Sequence, residues 1–278
     1  MPLDRDSFAA QPEEFAVRWL GHSTLIFELA GVRFITDPVF GNAAPLPRAM
    51  QRYTPSPLAR KDLPPLDFVL ISHDHYDHLE YETIRFFRDR DVPFVVPLGV
   101  GARLRGWGIQ PERIRELNWD ESIVVNGIRI TAQTARHFSG RTFRDRNTTL
   151  WSAYVLQGGG KSIFFGADGG YGTHFREIGA AFGPFDLICL EIDAWNERWP
   201  NTHLFPEEVI QAQQDLGGGP LLPIHWGVFD LAMHPWDESI RQVAGLATRA
   251  GAPLFAPRLG EKAIPGETTT LPWWESVP

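Results

Sequence analysis

The stretch that decides the fold reads Asp-Phe-Val-Leu-Ile-Ser-His-Asp-His-Tyr-Asp-His over residues 67–78. Its first half is a compact apolar run of the type found in buried strands, and it predicts a strand over residues 67–72. Its second half places three histidines and two aspartates within residues 73–78. Ligand sites in α/β folds gather at the carboxyl ends of strands. The pattern therefore predicts a buried strand that leads into a functional loop.

The loop that follows this strand carries the side chains of a metal site. His73 and His75 alternate along an extended chain, so their rings face the same side and can hold one ion together. A bend beyond them lets Asp77 and His78 face a second ion. Imidazole and carboxylate groups are ligands that zinc accepts. Core packing does not explain this density of histidine and aspartate, so we predict a site for two ions.

Further ligands are needed, because one loop cannot close two metal sites. A histidine or a carboxylate stands at the end of several other apolar runs. The candidates are His137, Asp168, His225 and either Glu191 or Asp193. Their shared position at strand ends favours a common site, and the pattern alone leaves open which of them bind metal.

The rest of the chain shows strands first and then strands alternating with helices, twice over. Strands are predicted at 15–20, 24–29, 32–36, 94–96, 186–192, 221–224 and 254–256, and helices at 81–90, 173–182, 206–216 and 237–249. Two hairpins are predicted, one at 122–134 with Asn126 and Gly127 in the turn and one at 149–166. Residues 42–66 hold many prolines and form a long loop. A functional lid and an unstructured surface excursion stay open alternatives for this loop.

Composition and cysteine content narrow the class of protein. The chain has 278 residues, 43% of them hydrophobic, which suffices for a single domain over residues 1–278. No apolar run approaches the ~20 residues of a membrane span, and residues 1–14 lack the apolar stretch of a secretory signal. Cys189 is the only cysteine, so no internal disulfide is expected. We therefore expect a cytoplasmic protein; peripheral membrane contact and the oligomeric state stay open.

The charge pattern points to the kind of partner. A net charge of −8 without a basic run argues against nucleic acid, because phosphate contacts supply most non-specific affinity. We expect a small-molecule or lipid substrate instead. Arg141, Arg144 and Arg146 follow His137, and one of them could hold a phosphate. The alternative for these arginines is pairing with Asp145 on a solvated loop.

Residues 73–78 resemble the signature of the metallo-β-lactamase superfamily, and the later His137, Asp168 and His225 fit its further landmarks. More narrowly, the chain resembles the branch of N-acylphosphatidylethanolamine-hydrolysing phospholipase D and its bacterial relatives. The segments that carry the narrower resemblance cover most of residues 16–237 and are 19–24, 37–40, 73–78, 137–141, 145–151, 183–186, 206–208 and 224–229.

The resemblance implies an α/β fold in the form of a four-layer αββα sandwich, with two metals at one edge of the paired sheets. It also implies how seven side chains divide between two zinc ions: His73, His75 and His137 at the first, Asp77, His78 and His225 at the second, and Asp168 bridging both. By the same analogy, Glu191 and Asp193 are not ligands. Manganese or iron could occupy the same nitrogen and oxygen ligands.

The expected chemistry follows from the charge of two metal ions. Two zinc ions that share one water lower its pKa toward neutrality, and the bridging hydroxide attacks phosphorus or a carbonyl carbon. Asp77 or Asp168 would take up the proton of this nucleophile, and the sequence does not say which. His203 matches a family histidine near the substrate and would act as a general acid toward a leaving alkoxide.

Further residues are expected around the metals. Tyr76, inside the motif, and Asp193 are candidate substrate contacts beside His203. Asp193 stands where the phospholipase branch commonly has a glycine, and a negative charge facing the pocket would disfavour an anionic phosphodiester. His22 and Asp37 match family positions near the site and are expected to orient ligands.

Three functions remain open from the sequence. The leading hypothesis is a phosphodiesterase of phospholipase D type acting on a lipid or another phosphodiester. The second is a carboxylic ester hydrolase, such as a sugar-phosphate lactonase. The third is a metal-binding protein without turnover, against which the complete ligand set argues.

Overall fold

Two mixed sheets form the centre of the part of the chain that the computed structural model describes, residues 10–44 and 50–277. The first sheet has seven strands. In spatial order they are β13 (Lys262–Ala263), β1 (Phe15–Gly21), β2 (Thr24–Leu29), β3 (Val32–Thr36), β4 (Phe68–Leu70), β5 (Phe94–Pro97) and β6 (Ile114–Leu117).

The second sheet has six strands. In spatial order they are β12 (Leu221–Ile224), β11 (Leu187–Glu191), β10 (Lys161–Phe165), β9 (Ala153–Gly158), β8 (Ile128–Gln133) and β7 (Ser122–Val125). Both predicted hairpins are present, since β7 pairs antiparallel with β8 and β9 pairs antiparallel with β10.

Helices pack on the outer faces of both sheets. They are α1 (Tyr81–Phe87), α2 (Val100–Gly106), α3 (His174–Phe182), α4 (Pro206–Asp215) and α5 (Glu238–Ala250). Apolar residues of α1 and α2 pack on the first sheet, and those of α3, α4 and α5 join the core of the second. None of the helices in the described ranges combines the length and the apolar character that a bilayer crossing requires.

β4 shows how the layers arise from the alternation of side chains along a strand. Phe68 and Leu70 point into the core between the sheets, where the Phe68 ring stacks on Phe34 with centroids 4.5 Å apart. Val69 and Ile71 point the other way, into the cluster under α1 and α2. A strand buried on both faces needs an uninterrupted apolar run. The layers follow the αββα order, so the predicted fold class is confirmed.

The carboxyl ends of several parallel strands lie at one edge of the sandwich. β3 and β4 are parallel, and so are β10, β11 and β12. Asp37, His73, Asp168 and His225 follow four of these strands, and Glu191 is the last residue of the fifth. Because the carboxyl ends of parallel strands meet at one edge, these side chains converge there.

The structure differs from the pattern-based prediction at several short elements. α2, β6 and β13 are not predicted, and the strand predicted at 254–256 is wrong. Leu254 makes only a single bridge with Leu221, because Pro253 and Pro257 on either side have no N–H for a ladder. α2 contains two glycines that lower its helix propensity, so its packing on the first sheet decides its conformation.

Part of the predicted long loop at 42–66 packs on the body of the protein. The Arg52 guanidinium donates to the carbonyl oxygen of Val39 at 2.9 Å, and the Tyr53 N–H donates to that of Val228 at 3.1 Å. Residues 45–49 of this loop lie outside the described residues. Residues 1–9, part of the N-terminal segment for which no secretory signal is predicted, lie outside them too. A lid function for this loop stays a prediction.

Tyr154 joins the two sheets next to the histidine-rich loop. It lies in β9 and is fully buried, and its hydroxyl donates to the carbonyl oxygen of Ile71 at 2.9 Å. We expect Tyr154→Phe to lower the free energy of unfolding by about 1–3 kcal/mol, because the buried carbonyl loses its donor. Denaturant titration of both proteins measures this difference.

Tyr81→Phe is the matched control for this change. The Tyr81 side chain is exposed on α1, and its substitution should alter stability by less than about 0.5 kcal/mol. An equal effect of the two substitutions would show that the link between Tyr154 and Ile71 does not stabilise the fold.

Candidate metal centre

The loop after β4 brings its first two histidines together and then reverses. His73 Nε2 lies 2.8 Å from His75 Nδ1. The N–H groups of His78 and Leu79 donate back to the carbonyl oxygen of His75, at 3.1 and 2.8 Å. This turn brings Asp77 and His78 beside the first pair, with the ring centroids of His73 and His78 4.1 Å apart.

His137 completes a first set of three nitrogens. It follows β8, and its Nε2 lies 3.3 Å from His75 Nδ1. The other ring nitrogen, Nδ1, lies 3.1 Å from the carbonyl oxygen of Thr202. An Nδ1–H that donates to this carbonyl leaves the Nε2 lone pair free for a ligand. The three residues predicted for the first ion are therefore adjacent.

Asp77, His78 and His225 form a second set. Asp77 Oδ2 lies 3.4 Å from His78 Nε2 and 3.5 Å from His225 Nε2. His225 follows β12 with a φ of 65°, a left-handed conformation that turns the chain sharply at the sheet edge. Its N–H donates to the carbonyl oxygen of His22 at 3.0 Å, which fixes this turn.

Asp168 lies between the two sets. Its Oδ2 is 3.1 Å from His78 Nε2 and 3.1 Å from His225 Nε2. The same oxygen is 4.0 Å from His73 Nε2 and 3.8 Å from His137 Nε2. One carboxylate thus faces the nitrogens of both sets, the position that a bridging ligand requires.

The donor chemistry of this cluster fits divalent metal ions. Among the described residues, His78 Nε2, His225 Nε2 and Asp168 Oδ1 are buried and make no hydrogen bond. An unpaired buried polar atom costs about 1–3 kcal/mol, and metal coordination would satisfy these atoms. Imidazole nitrogen and carboxylate oxygen suit zinc, manganese and iron alike.

The electrostatics of the cluster favour a bound cation. Burial opposes ionisation of Asp168, but the nearby His225 and His78 hold its pKa well below the usual range. Burial likewise opposes protonation of His225, whereas Asp168 raises its pKa to about 10. The carboxylates therefore attract positive charge into this buried site, and a metal ion would take the place of the proton.

Asp37 orients two of the candidate ligands. Its carboxylate accepts from the Ser72 N–H at 2.7 Å, from the Ser72 hydroxyl at 2.6 Å and from His78 Nδ1 at 2.8 Å. The Ser72 hydroxyl in turn accepts from His73 Nδ1 at 2.9 Å. Both histidines thus carry the proton on Nδ1 and present Nε2 to the site, as metal ligands do.

His22 orients Asp77 in the same way. It lies in the turn between β1 and β2, and its Nε2 donates to Asp77 Oδ2 at 2.9 Å. Burial and the neighbouring His225 lower the pKa of His22 to about 3, so the ring is neutral. The ring centroids of His22 and His225 are 3.8 Å apart. The placement of His22 and Asp37 agrees with the orienting roles expected for them.

A cavity of about 390 Å³ opens beside both ligand sets. Ligand candidates on its wall include His75, Asp77, His137, Asp168 and His225. The rest of the lining combines apolar side chains with polar groups: Met50, Phe138, Arg146, Ala194, Trp199, Thr202, His203 and Leu231. The cavity is where a substrate would meet the ligand cluster.

His203 faces this cavity, as its predicted role requires. Its Nδ1 contacts Oε2 of Glu191, a fully buried carboxylate. Burial opposes protonation of His203, but Glu191 more than offsets this effect, so the pKa of His203 is raised. Glu191 Oε2 also lies 3.9 Å from His225 Nδ1, so this carboxylate borders the second set.

Tyr76 and Asp193 are not on the wall of the cavity. Arg141 lies over the Tyr76 ring, with its guanidinium carbon 3.8 Å from the centroid. The Asp193 carboxylate accepts from the Ser239 hydroxyl at 2.9 Å, at the start of α5. The substrate contacts expected of both side chains stay predictions.

A comparison with protein families shows which superfamily this chain belongs to. The family model described as "Beta-lactamase superfamily domain" matches residues 32–226, which include every ligand candidate. The chain belongs to the metallo-β-lactamase superfamily. It is a metal-dependent hydrolase, and the divalent metal binding that this fold implies agrees with the His/Asp cluster.

Individual relatives within the superfamily cover most of the chain. An uncharacterized protein of Mycobacterium tuberculosis is 42% identical over 274 residues, which is 96% of this chain and 73% of the relative. The N-acyl-phosphatidylethanolamine-hydrolyzing phospholipase D 1 of Caenorhabditis elegans is 35% identical over 243 residues, which is 82% of this chain and 68% of the relative.

Solved structures agree on the fold. An isothiocyanate hydrolase from Delia radicum gut bacteria superimposes with a TM-score of 0.70 at 18% identity, covering 89% of this chain and 98% of its own. The metallo hydrolase Igni18 from Ignicoccus hospitalis gives a TM-score of 0.68 at 18% identity, covering 90% of this chain and 97% of its own. At this identity the likeness concerns the fold alone.

Several residues that support this metallo-β-lactamase site are not found by sequence reasoning. Ser72 precedes His73 directly, yet only the fold shows that its hydroxyl links Asp37 to that ring. Asp74 accepts from Arg103 at 2.6 Å and from the Gly140 N–H at 2.7 Å. Its position inside the motif is the one signal that could have indicated a role in holding the loop.

We expect Asp37→Asn to weaken metal binding by about 10–100-fold, because an amide cannot accept from both His78 and Ser72 as the carboxylate does. Titration of the metal-free proteins with zinc in the presence of a competing chelator measures this change.

Asp67→Asn is the control for the Asp37 substitution. Asp67 stands at the opposite end of β4 and accepts from the Arg33 N–H at 2.8 Å, away from the ligand cluster. The zinc affinity of the Asp67→Asn variant should equal that of the wild type. Equal affinities for all three proteins would mean that Asp37 does not orient the metal ligands.

Proposed function

We propose that this chain is a zinc-dependent phosphodiesterase of phospholipase D type with two metal ions per chain. The observation that carries the proposal is the double ligand set that shares Asp168 beside a single cavity. Relatives of Caenorhabditis elegans and yeast, at 35% and 32% identity, are named as phospholipases D that hydrolyse N-acyl-phosphatidylethanolamine. The activity in these names supports a phosphodiester as the bond that is cleaved.

In this proposal, the seven ligand candidates divide between the two ions as the family resemblance implies: His73, His75 and His137 for one, Asp77, His78 and His225 for the other, and Asp168 for both. When bound, the metals lower the pKa of a water and offset negative charge on the substrate oxygens. Asp77 and Asp168 line the cavity, and either carboxylate is placed to accept the proton of the attacking water.

The charges around the cavity favour a phosphodiester. Arg146 lines the cavity and is a cation available to an anionic substrate. A negative charge of Asp193 in the pocket would disfavour a phosphodiester. The Asp193 carboxylate is instead hydrogen-bonded to Ser239 and is not part of the cavity wall. Burial also raises the pKa of Asp193.

The apolar part of the wall fits a lipid or another substrate with an apolar group. Met50, Phe138, Trp199 and Leu231 form this part. Apolar walls with a few placed polar groups are usual for sites that bind small molecules. A carboxylic ester such as a lactone is the alternative substrate, and the same water could attack its carbonyl carbon.

A comparison of two substrates tests the bond that is cleaved. Zinc-loaded protein should hydrolyse bis(p-nitrophenyl) phosphate with a larger kcat/KM than simple lactones, because Arg146 and the metals stabilise an anionic phosphoryl group. A larger kcat/KM for lactones would assign the site to carboxylic esters instead.

A histidine substitution ties this activity to the cluster. His75→Ala should lower kcat at least about 10³-fold, because it removes a ligand of the first set. His174→Ala, at the start of α3 and outside the ligand sets, is the matched control and should keep the wild-type rate. An unchanged rate in the His75 variant would place the active site elsewhere.

A further inference from the structure

Glu191 is a buried carboxylate that is not one of the seven predicted ligands. It is the last residue of β11 and is 1% exposed. Its Oε1 accepts from the Gly169 N–H at 2.7 Å, and its Oε2 contacts His203 Nδ1. A buried carboxylate is costly unless it is hydrogen-bonded, and these two donors satisfy one oxygen each.

The contact with Glu191 determines which nitrogen of His203 can meet a substrate. Since Nδ1 faces the carboxylate, Nε2 is the nitrogen left for the cavity that the ring lines. The His203 ring centroid lies 5.3 Å from that of His137 and 5.4 Å from that of His225. His203 therefore stands beside both ligand sets, within reach of a bond cleaved between them.

Glu191 also ties His203 to the bridging ligand. Gly169, whose N–H donates to Oε1, follows Asp168 directly in the chain. Glu191, at the end of β11, thus contacts both the His203 ring and the backbone next to Asp168. Asp193, two residues further on, is engaged by Ser239 instead, so it does not share this role.

We propose that Glu191 is a positioning residue that orients His203 as the proton donor to the leaving oxygen. This inference rests on the proposed function for the bond that is broken. As the phosphorus–oxygen bond breaks, its electron pair stays on the leaving oxygen, which takes the proton of His203 Nε2. The proton released by the attacking water replaces it, so the ring returns to its starting form.

Leaving groups of different basicity separate this role from a structural one. Methyl p-nitrophenyl phosphate releases a stable phenolate and needs little help from an acid, whereas methyl phenyl phosphate needs a proton on the leaving oxygen. The kcat for both substrates is measured with zinc-loaded wild type, Glu191→Gln, His203→Ala and the double variant. Metal content is measured for each protein.

We expect Glu191→Gln and His203→Ala each to slow the phenyl substrate at least about tenfold more than the p-nitrophenyl substrate. Metal content should stay at the wild-type level. The double variant should be no slower than His203→Ala alone, because Glu191 acts through His203.

Glu28→Gln is the control for loss of a buried carboxylate. Glu28 lies in β2, is 3% exposed and accepts from Arg33 Nε at 2.9 Å. Any loss of activity in this variant should be the same for both substrates, since no ring at the cavity depends on Glu28.

An equal loss on both substrates, or no loss, in either single variant would overturn the proposal. Loss of metal from Glu191→Gln would also overturn it, because the carboxylate would then serve the metal site. If the wild type cleaves neither phosphodiester, the proposed function fails separately. Phenyl acetate and p-nitrophenyl acetate, which differ in the same leaving groups, then decide the role of Glu191.

Discussion

The carboxylate of Asp168 is the interaction on which the architecture of the site depends. Its Oδ2 faces His78, which follows a strand of the first sheet, and His225, which follows a strand of the second, both at 3.1 Å. A buried carboxylate needs compensating charge or hydrogen bonds. The site therefore requires that the two sheets pack with the carboxyl ends of their parallel strands at the same edge.

The candidate ligands are held by hydrogen-bond partners that belong to neither set. Asp37 and Ser72 fix His73 and His78, and the Thr202 carbonyl fixes His137. Such partners set the proton-bearing nitrogen of each ring and its orientation. The candidate ligands are consequently hydrogen-bonded in place at the edge of the sandwich, and surrounding loops supply part of the cavity wall. Met50, Trp199 and Leu231 reach the cavity from such loops.

The seven predicted ligand residues converge in the structure because they stand at the ends of apolar runs, a pattern that is visible without knowledge of the fold. The sequence does not predict the apolar part of the cavity wall, whose residues come from distant loops without periodicity. Asp193 shows a second limit: β11 ends at Glu191, and Ala194 adopts a φ of 64°. Alternation no longer applies there, so the direction of Asp193 could not be read from its position.

The most direct test of the central claim is anomalous X-ray diffraction at the zinc edge from crystals of zinc-loaded protein. We expect two peaks at the sheet edge, one among the nitrogens of His73, His75 and His137 and one among Asp77, His78 and His225, with Asp168 contacting both. A single peak, or peaks away from these side chains, would contradict it.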